Sequence, residues 1–265
     1  MNFKKNRGKS GGGGSRSASA LSASAMEDYI RGLQRSGVFE GRLAHVAHDA
    51  ARPARWAAGP ASPALPVAEA LKTMGIPRLY SHQASAVERI RGGGNVVVAT
   101  PTASGKTLVY TLPLLERLAE NPGKSALYVS PLKALAQDQL LKMRAMAAAV
   151  PSLSFEAAIY DGDTRALERK KIRDVPPNVL MTTPEMLHLS FLAHHSAWAS
   201  FFRRLTMVVV DEVHTYRGVM GSHMAQVFRR LVRVCRHCGS DPTFVFTSAT
   251  VANPGELARQ LTGLS

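Results

Sequence analysis

The stretch of residues 95–108, which reads NVVVATPTASGKTL, constrains the fold more than any other part of the chain. Residues 95–99 form a short β-branched run that is typical of a buried strand. The run stops at Thr100 and Pro101, because proline removes a backbone donor and forces an extended turn. Residues 107–118 then follow a helical period. A strand, a tight loop and a helix N-terminus in this order predict a phosphate site, since loop amides and the helix dipole converge there.

The loop after this strand is expected to bind ATP and Mg²⁺. Lys106 can reach the β- and γ-phosphates, and the Thr107 hydroxyl can hold the metal. Gly105 lets the backbone approach the phosphates closely. The usual pattern has glycine six positions before the lysine, where this chain has Thr100, so the loop is a variant. The predicted nucleotide-binding residues of the loop are Thr100, Pro101, Thr102, Ala103, Ser104, Gly105, Lys106 and Thr107.

Composition indicates a folded chain with a polyanionic partner. Apolar residues make up 45% of the 265, and no apolar run approaches the length that spans a membrane. The basic N-terminus lacks the apolar stretch of a signal peptide, so a cytoplasmic location is expected. The formal net charge of +14 favours nucleic acid as the partner. Charge alone leaves DNA and RNA open.

The chain divides into three predicted regions. Residues 1–25 are rich in Gly and Ser, carry basic but no acidic side chains, and are predicted to be a disordered basic arm. Residues 26–78 are predicted to be a helical extension packed on the main domain, with short helices that end at Gly37 and Gly75. Residues 79–265 are predicted to be the main domain, in which strands and helices alternate.

This alternation predicts an α/β fold with a mostly parallel sheet, helices on both faces and ligands at the carboxyl ends of the strands. The predicted strands are 96–99, 126–130, 156–160, 179–182, 207–210 and 244–247. The clearest helical stretches between them are 134–147 and 223–235.

A second element of phosphate chemistry is residues 207–214, MVVVDEVH, an apolar strand that ends in two acids. We expect Asp211 to bind Mg²⁺, directly or through water, and Glu212 to polarise the attacking water. Adjacent acids after a strand also cap helices. That alternative loses weight because the upstream GKT segment predicts an acidic element of this kind.

These segments together resemble the motifs of superfamily 2 helicases. TPTASGKT at 100–107, DEVH at 211–214 and SAT at 248–250 resemble motifs I, II and III. Residues 130–137 resemble motif Ia, and 182–186 resemble a later DNA-backbone motif. The amino-acid sequences of these motifs are most similar to those of the MrfA/YprA-like (Hrq-type) DNA repair helicases. The resemblance implies a RecA-like P-loop NTPase domain, the first lobe of a motor that hydrolyses ATP to move 3′-to-5′ along single-stranded DNA and separate duplexes.

The resemblance also implies roles for individual residues. Gln83, in LYSHQ, lies at the place of the glutamine that reads adenine, and one amide can satisfy both edges of that base. Coupling of nucleotide state to lobe movement is implied for His214, Ser248, Ala249 and Thr250. Contacts to phosphates of the tracking strand are implied for Pro131, Lys133, Thr183 and Pro184. For the coupling residues, the competing interpretation is that they make polar contacts in the core. For Thr183 and Pro184, it is that they cap a helix.

The same resemblance calls for a second RecA-like lobe with an arginine finger and for a zinc domain. Since no segment supplies them, the chain is expected to be a truncated first lobe that is nearly inactive alone. Cys235 and Cys238, in CRHCG, are expected to mark a helix C-terminus, because structural zinc needs four ligands. Alternatives are an RNA helicase and a non-catalytic nucleic-acid-binding fragment. A small-molecule kinase would explain neither SAT nor TTPEM.

Overall fold

A computed structural model describes residues 18–37, 42, 45, 53–58, 65–101, 104–151 and 153–264. The chain forms two compact units, Met1–Pro53 and Ala54–Ser265. Within the described ranges, every helix is too short or too polar to cross a bilayer.

The first unit contains one described helix, α1 (Ala18–Arg35), which ends two residues before Gly37. The helix begins inside the region that we predicted to be a disordered arm, so that prediction is wrong from Ala18 onward. The physical reason is the run ASALSASA, because alanine has the highest helix propensity and loses no side-chain entropy. Residues 1–17 lie outside the described residues.

The second unit is built on a six-stranded sheet in the order β1-β6-β5-β2-β4-β3, and all neighbouring strands run parallel. The strands are β1 (Val96–Ala99), β2 (Ser125–Val129), β3 (Ala157–Tyr160), β4 (Val179–Thr182), β5 (Leu205–Val210) and β6 (Thr243–Ser248). The parallel α/β sheet that we predicted is therefore confirmed, with each strand starting within two residues of its expected position.

Helices connect the strands and cover the sheet. They are α2 (Leu65–Thr73), α3 (Ser81–Arg91), α4 (Lys106–Glu120), α5 (Lys133–Ala148), α6 (Ala166–Asp174), α7 (Pro184–Met186), α8 (Ala199–Arg204), α9 (Gly218–His237) and α10 (Pro254–Thr262). A π-helical turn spans Leu187–Leu192, and 3₁₀ turns span His195–Trp198 and Val213–Thr215.

Both faces of the sheet are buried, which explains why the strands read as nearly continuous apolar runs. Successive residues of a strand point to opposite faces. In β2, Leu127 and Val129 belong to one core cluster, whereas Ala126 and Tyr128 belong to the other. Helices α9 and α10 cover the first face, and α3, α4 and α5 cover the second.

Helix α2 is part of the second unit, which begins at Ala54 and not at Leu79. Val67 and Leu71 of α2 are buried together with Val87 of α3 and Leu112 of α4. A helix of nine residues has little stability of its own, so this apolar face requires the domain for support. The packing makes α2 a part of the second unit's core, and the rest of the predicted extension stays a prediction.

We predict that Phe191→Ala lowers the free energy of unfolding by about 3–5 kcal/mol, because it removes a large buried ring. Phe191 is fully buried and stacks on Trp198 with ring centroids 4.3 Å apart. Chemical denaturation measures the change. Leu189→Ala is the control, since Leu189 lies on the same π-helical turn but is 57% exposed and is expected to change stability by under about 0.5 kcal/mol. Equal effects of the two substitutions would contradict this packing.

Candidate nucleotide site

The parallel sheet brings distant segments of the chain together at one edge. Strands β1, β6 and β5 are neighbours, so the loops that follow them lie side by side. Ala99 at the end of β1 pairs with Ser248 at the end of β6. The predicted phosphate loop, the two acids and the SAT segment therefore meet at the carboxyl edge, as expected for a ligand site of an open α/β sheet.

In the phosphate loop, the Lys106 ammonium folds back onto carbonyls of its own loop. Its Nζ donates to the carbonyl oxygens of Thr100, at 2.8 Å, and Pro101, at 3.0 Å. The Thr100 and Ser104 hydroxyls lie 2.6 Å apart and close the loop. Neutral carbonyls bind an ammonium more weakly than phosphate oxygens do, so an arriving phosphate can replace them. The predictions for Thr102 and Ala103 fall outside the described residues.

Gly105 is needed where the loop enters α4, for two independent reasons. Its φ is +76°, in the left-handed region, and a Cβ there would lie 2.4 Å from Nε2 of Gln83. Gln83 is 2% exposed, donates to the Gly105 carbonyl at 3.0 Å and accepts from the Tyr80 N–H at 2.9 Å. The His82 ring nitrogen lies 3.1 Å from the Ser104 carbonyl. The start of α3 thus braces the phosphate loop, and adenine recognition by Gln83 stays a prediction.

Asp211 is a buried carboxylate held by three donors. Its oxygens accept the hydroxyls of Tyr128 and Thr247 and, at 3.0 Å, the backbone N–H of Glu212. Burial is the main cause that raises the pKa of Tyr128, and nearby Tyr110 and Asp211 raise it further, so Tyr128 stays a donor. The sequence patterns did not reveal either hydroxyl. In the sequence, Tyr128 and Thr247 are visible only as residues with a hydroxyl group inside apolar strands. The strand order is needed to show that both hydroxyls contact Asp211.

Glu212 has the backbone strain that often marks a functional residue. Its φ of +50° makes it the one non-glycine residue with positive φ in the described part of the chain. Such a conformation costs about 1–3 kcal/mol and persists only where the surroundings hold it. Here the backbone N–H and hydroxyl of Thr215 both donate to the Glu212 carbonyl, at 2.9 and 2.8 Å.

In this conformation one carboxylate oxygen of Glu212, Oε2, is buried and has no hydrogen-bond partner among the residues that the structure describes. His214 Nδ1 lies 3.1 Å from this oxygen, yet outside hydrogen-bond geometry. A buried acceptor normally has a donor, and a water that is to be activated would be such a donor.

His214 connects the loop after β5 with the loop after β6. Its Nδ1 accepts the Ala249 N–H at 3.4 Å and lies 3.5 Å from the Ser248 hydroxyl. Three of the four predicted coupling residues are therefore in contact, whereas Thr250 is exposed and has no described bond to the group.

The predicted nucleic-acid residues follow β2 and β4, on the other half of the same edge. Thr183 accepts the Met186 N–H at 3.5 Å, with Pro184 in the first helical turn, so the cap interpretation is confirmed. The Lys133 ammonium donates to Asp163 at 2.8 Å, and this bond raises the pKa of Lys133. Pro131 precedes Lys133, at the start of α5. The two halves of the edge thus separate the predicted nucleotide-binding residues from the predicted nucleic-acid residues.

The two cysteines lie at the end of α9, as expected. The helix ends at His237, and Gly239 follows with a φ of +84°. Burial raises the pKa of Cys235 to about 12, so its thiol keeps the proton that a metal ligand must lose. Among the described residues, no three His, Cys, Asp or Glu side chains are grouped so that they could hold a metal ion.

The phosphate loop, the Asp-Glu pair after β5 and the SAT segment after β6 define the chain as an ATP-binding domain of the RecA-like helicase type. The sequence profile of the DEAD/DEAH box helicase family matches residues 80–257. The chain belongs to that family, and the resemblance found in its motifs is confirmed.

The relatives are considerably longer than this chain. An uncharacterized ATP-dependent helicase of Bacillus subtilis, YprA, is 48% identical over 197 residues, which cover 74% of this chain and 26% of YprA. The ATP-dependent helicase HRQ1 of Saccharomyces cerevisiae is 39% identical over 201 residues, 74% of this chain and 18% of HRQ1. The chain also resembles the crystal structure of the DUF1998 helicase MrfA bound to DNA, with a TM-score of 0.76 and 47% sequence identity. The match covers 80% of this chain and 30% of the MrfA chain.

We predict that Gly105→Ala weakens nucleotide binding by about 10-fold or more, because the new methyl group displaces Gln83 and the brace on the loop. Gly93→Ala is a matched control, since Gly93 has a φ of +78° but, among the described residues beyond its chain neighbours, no atom lies within 4 Å of where its methyl group would be. Both substitutions are expected to cost about 1–2 kcal/mol of stability through backbone strain. Thermal unfolding and titration with a fluorescent ATP analogue separate the two effects. Equal nucleotide affinity in the two variants would contradict the brace.

Proposed function

We propose that this chain is the ATP-binding motor lobe of an ATP-dependent DNA helicase that moves 3′-to-5′ on single-stranded DNA and acts in DNA repair. The observation that carries the proposal is the buried Oε2 of Glu212, at the same sheet edge as Lys106, which accepts no hydrogen bond from the described residues. Similarity to MrfA, whose structure was solved with DNA and AMPPNP, supports DNA as the partner. Separation of strands by the whole protein would require a second RecA-like lobe to complete the nucleotide cleft.

The residues present fit a magnesium–nucleotide complex. Asp211 supplies a carboxylate, and the Thr107 hydroxyl donates its proton to Gln139 at 3.0 Å, which leaves its oxygen lone pairs for a cation. Oxygen ligands of this kind, completed by phosphates and waters, suit Mg²⁺. When bound, Mg²⁺ would neutralise charge on the β- and γ-phosphates. Asp211 and Thr107 are the residues that would hold it.

The protein residues divide the work of hydrolysis between them. Lys106 exchanges the carbonyls of Thr100 and Pro101 for phosphate oxygens and so binds the nucleotide. Glu212 accepts a proton of the attacking water at Oε2. His214, which contacts Ala249, responds to the protonation of Glu212 and transmits it to the loop after β6. The SAT segment then transmits nucleotide state to the rest of the motor.

We predict different defects for the two central residues of the site. Lys106→Ala should weaken ATP binding about 10- to 100-fold, the loss expected for charge-assisted hydrogen bonds. Glu212→Gln should preserve binding and slow hydrolysis about 10²- to 10⁴-fold, because it removes a general base and no phosphate contact. Nucleotide titration and single-turnover hydrolysis measure the two quantities. A Glu212→Gln variant with the binding defect of Lys106→Ala would contradict these roles.

We predict that Lys133→Ala reduces the salt dependence of single-stranded DNA binding. Removing one phosphate contact should lower the slope of log affinity against log salt by about 0.7. Lys142→Ala is the control: Lys142 is exposed on the same helix and pairs with Asp138 one turn away, so the slope should stay unchanged. Fluorescence anisotropy at several salt concentrations measures both slopes.

The same titrations test the nucleic-acid class. We expect ATP analogues to change the affinity for single-stranded DNA more than the affinity for RNA of the same sequence. A response to RNA alone would favour an RNA helicase, and binding without any response to nucleotide would favour a non-catalytic fragment. Duplexes with a 3′ or a 5′ tail test the direction of movement.

A further inference from the structure

Gln139 on α5 joins two hydroxyl groups of α4 at the nucleotide site. Its side-chain carbonyl oxygen accepts the Thr107 hydroxyl and the Tyr110 hydroxyl, both at 3.0 Å. Thr107 and Tyr110 lie about one turn apart on α4, so they present their hydroxyls on one face. Gln139 comes from a different helix, 32 residues after Thr107 in the chain. Gln139 lies two residues beyond the segment 130–137 that resembles motif Ia.

The direction of these hydrogen bonds determines what Thr107 can bind. A threonine hydroxyl has one proton and two lone pairs. Because its proton points at Gln139, the lone pairs are directed elsewhere and are open to a cation. Burial is the main cause that raises the pKa of Tyr110. The Tyr110 hydroxyl therefore keeps its proton and remains a donor. The carbonyl oxygen of Gln139 thus uses its two acceptor positions to orient α4.

The tyrosine partner of Gln139 also lies beside the support of Asp211. The rings of Tyr110 and Tyr128 have their centroids 5.9 Å apart, and the Tyr128 hydroxyl donates to Asp211. Thr107 and Asp211, the two residues expected to hold the metal, are therefore connected through one group of contacting side chains, Gln139, Tyr110 and Tyr128. Gln139 is the member of that group that lies on α5.

We propose that Gln139 is a positioning residue for the magnesium–nucleotide site: it accepts the Thr107 proton and so leaves the Thr107 lone pairs available to a metal ion. The proposal rests on the proposed function. It gives α5 a direct link to nucleotide state. The helix begins at Lys133, six residues and about 9 Å before Gln139, so the link ends at the predicted nucleic-acid loop.

The test measures how much Mg²⁺ strengthens the binding of a fluorescent ATP analogue to the 265-residue chain. Gln139→Met keeps the length of the side chain but removes the strong acceptor, and should reduce the strengthening by Mg²⁺ about 3- to 10-fold, the effect of one uncharged hydrogen bond. Affinity without Mg²⁺ should stay unchanged. Gln139→Glu keeps acceptor oxygens and should retain the strengthening.

Two further variants complete the design. Gln137→Met is the matched control, because Gln137 is exposed on the same helix, and it should behave as the unsubstituted chain. Gln139→Asn keeps the amide but withdraws it by one carbon. It should show the defect of Gln139→Met, and it replaces that variant if thermal unfolding shows that Gln139→Met does not fold.

Several results would overturn the proposal. An unchanged effect of Mg²⁺ in both Gln139→Met and Gln139→Asn would do so, as would an equal loss of affinity with and without Mg²⁺. Loss in Gln139→Glu would show that Gln139 does not act as an acceptor. In these cases Mg²⁺-dependent binding by the unsubstituted chain leaves the proposed function standing. If that chain bound no nucleotide, the proposed function would fail, and this proposal with it.

Discussion

The buried carboxylate of Asp211 is the interaction on which the candidate site depends. A charge at 8% exposure is costly unless donors surround it, and here Tyr128, Thr247 and the Glu212 backbone supply three. Because these donors come from β2, β6 and the end of β5, the acid fastens the three central strands at their carboxyl ends. Glu212 follows β5 directly, and the phosphate loop follows β1, which pairs with β6.

Strand order then explains how one domain can separate two tasks. The order β1-β6-β5-β2-β4-β3 puts the phosphate loop and the SAT segment on one half of the edge, and Lys133 and Thr183 on the other. Tyr128 on β2 and Gln139 on α5 stand between the halves. Gln139 bonds to Thr107 on the nucleotide half and lies on the helix that begins at Lys133.

Local patterns were sufficient to predict the strands, the phosphate loop and the acids after β5, because periodicity and turn chemistry act over a few residues. The partners of Asp211 could not be predicted in this way. Tyr128 and Thr247 meet it only through the strand order, which depends on packing of the whole sheet. The same holds for Gln83, whose amide braces Gly105 across 22 residues of chain. The start of α1 was missed for another reason, since weak alanine and serine signals were outweighed by the glycine run before them.

The left-handed backbone at Glu212 has a consequence for attempts to engineer the domain. Glycine and asparagine tolerate this conformation better than glutamate does, so the fold itself would gain from losing the acid. A library enriched only for heat resistance would therefore drift toward replacing the residue proposed to activate water. Stability and the proposed catalysis therefore favour different residues at position 212. A screen for more stable variants should also measure ATP hydrolysis.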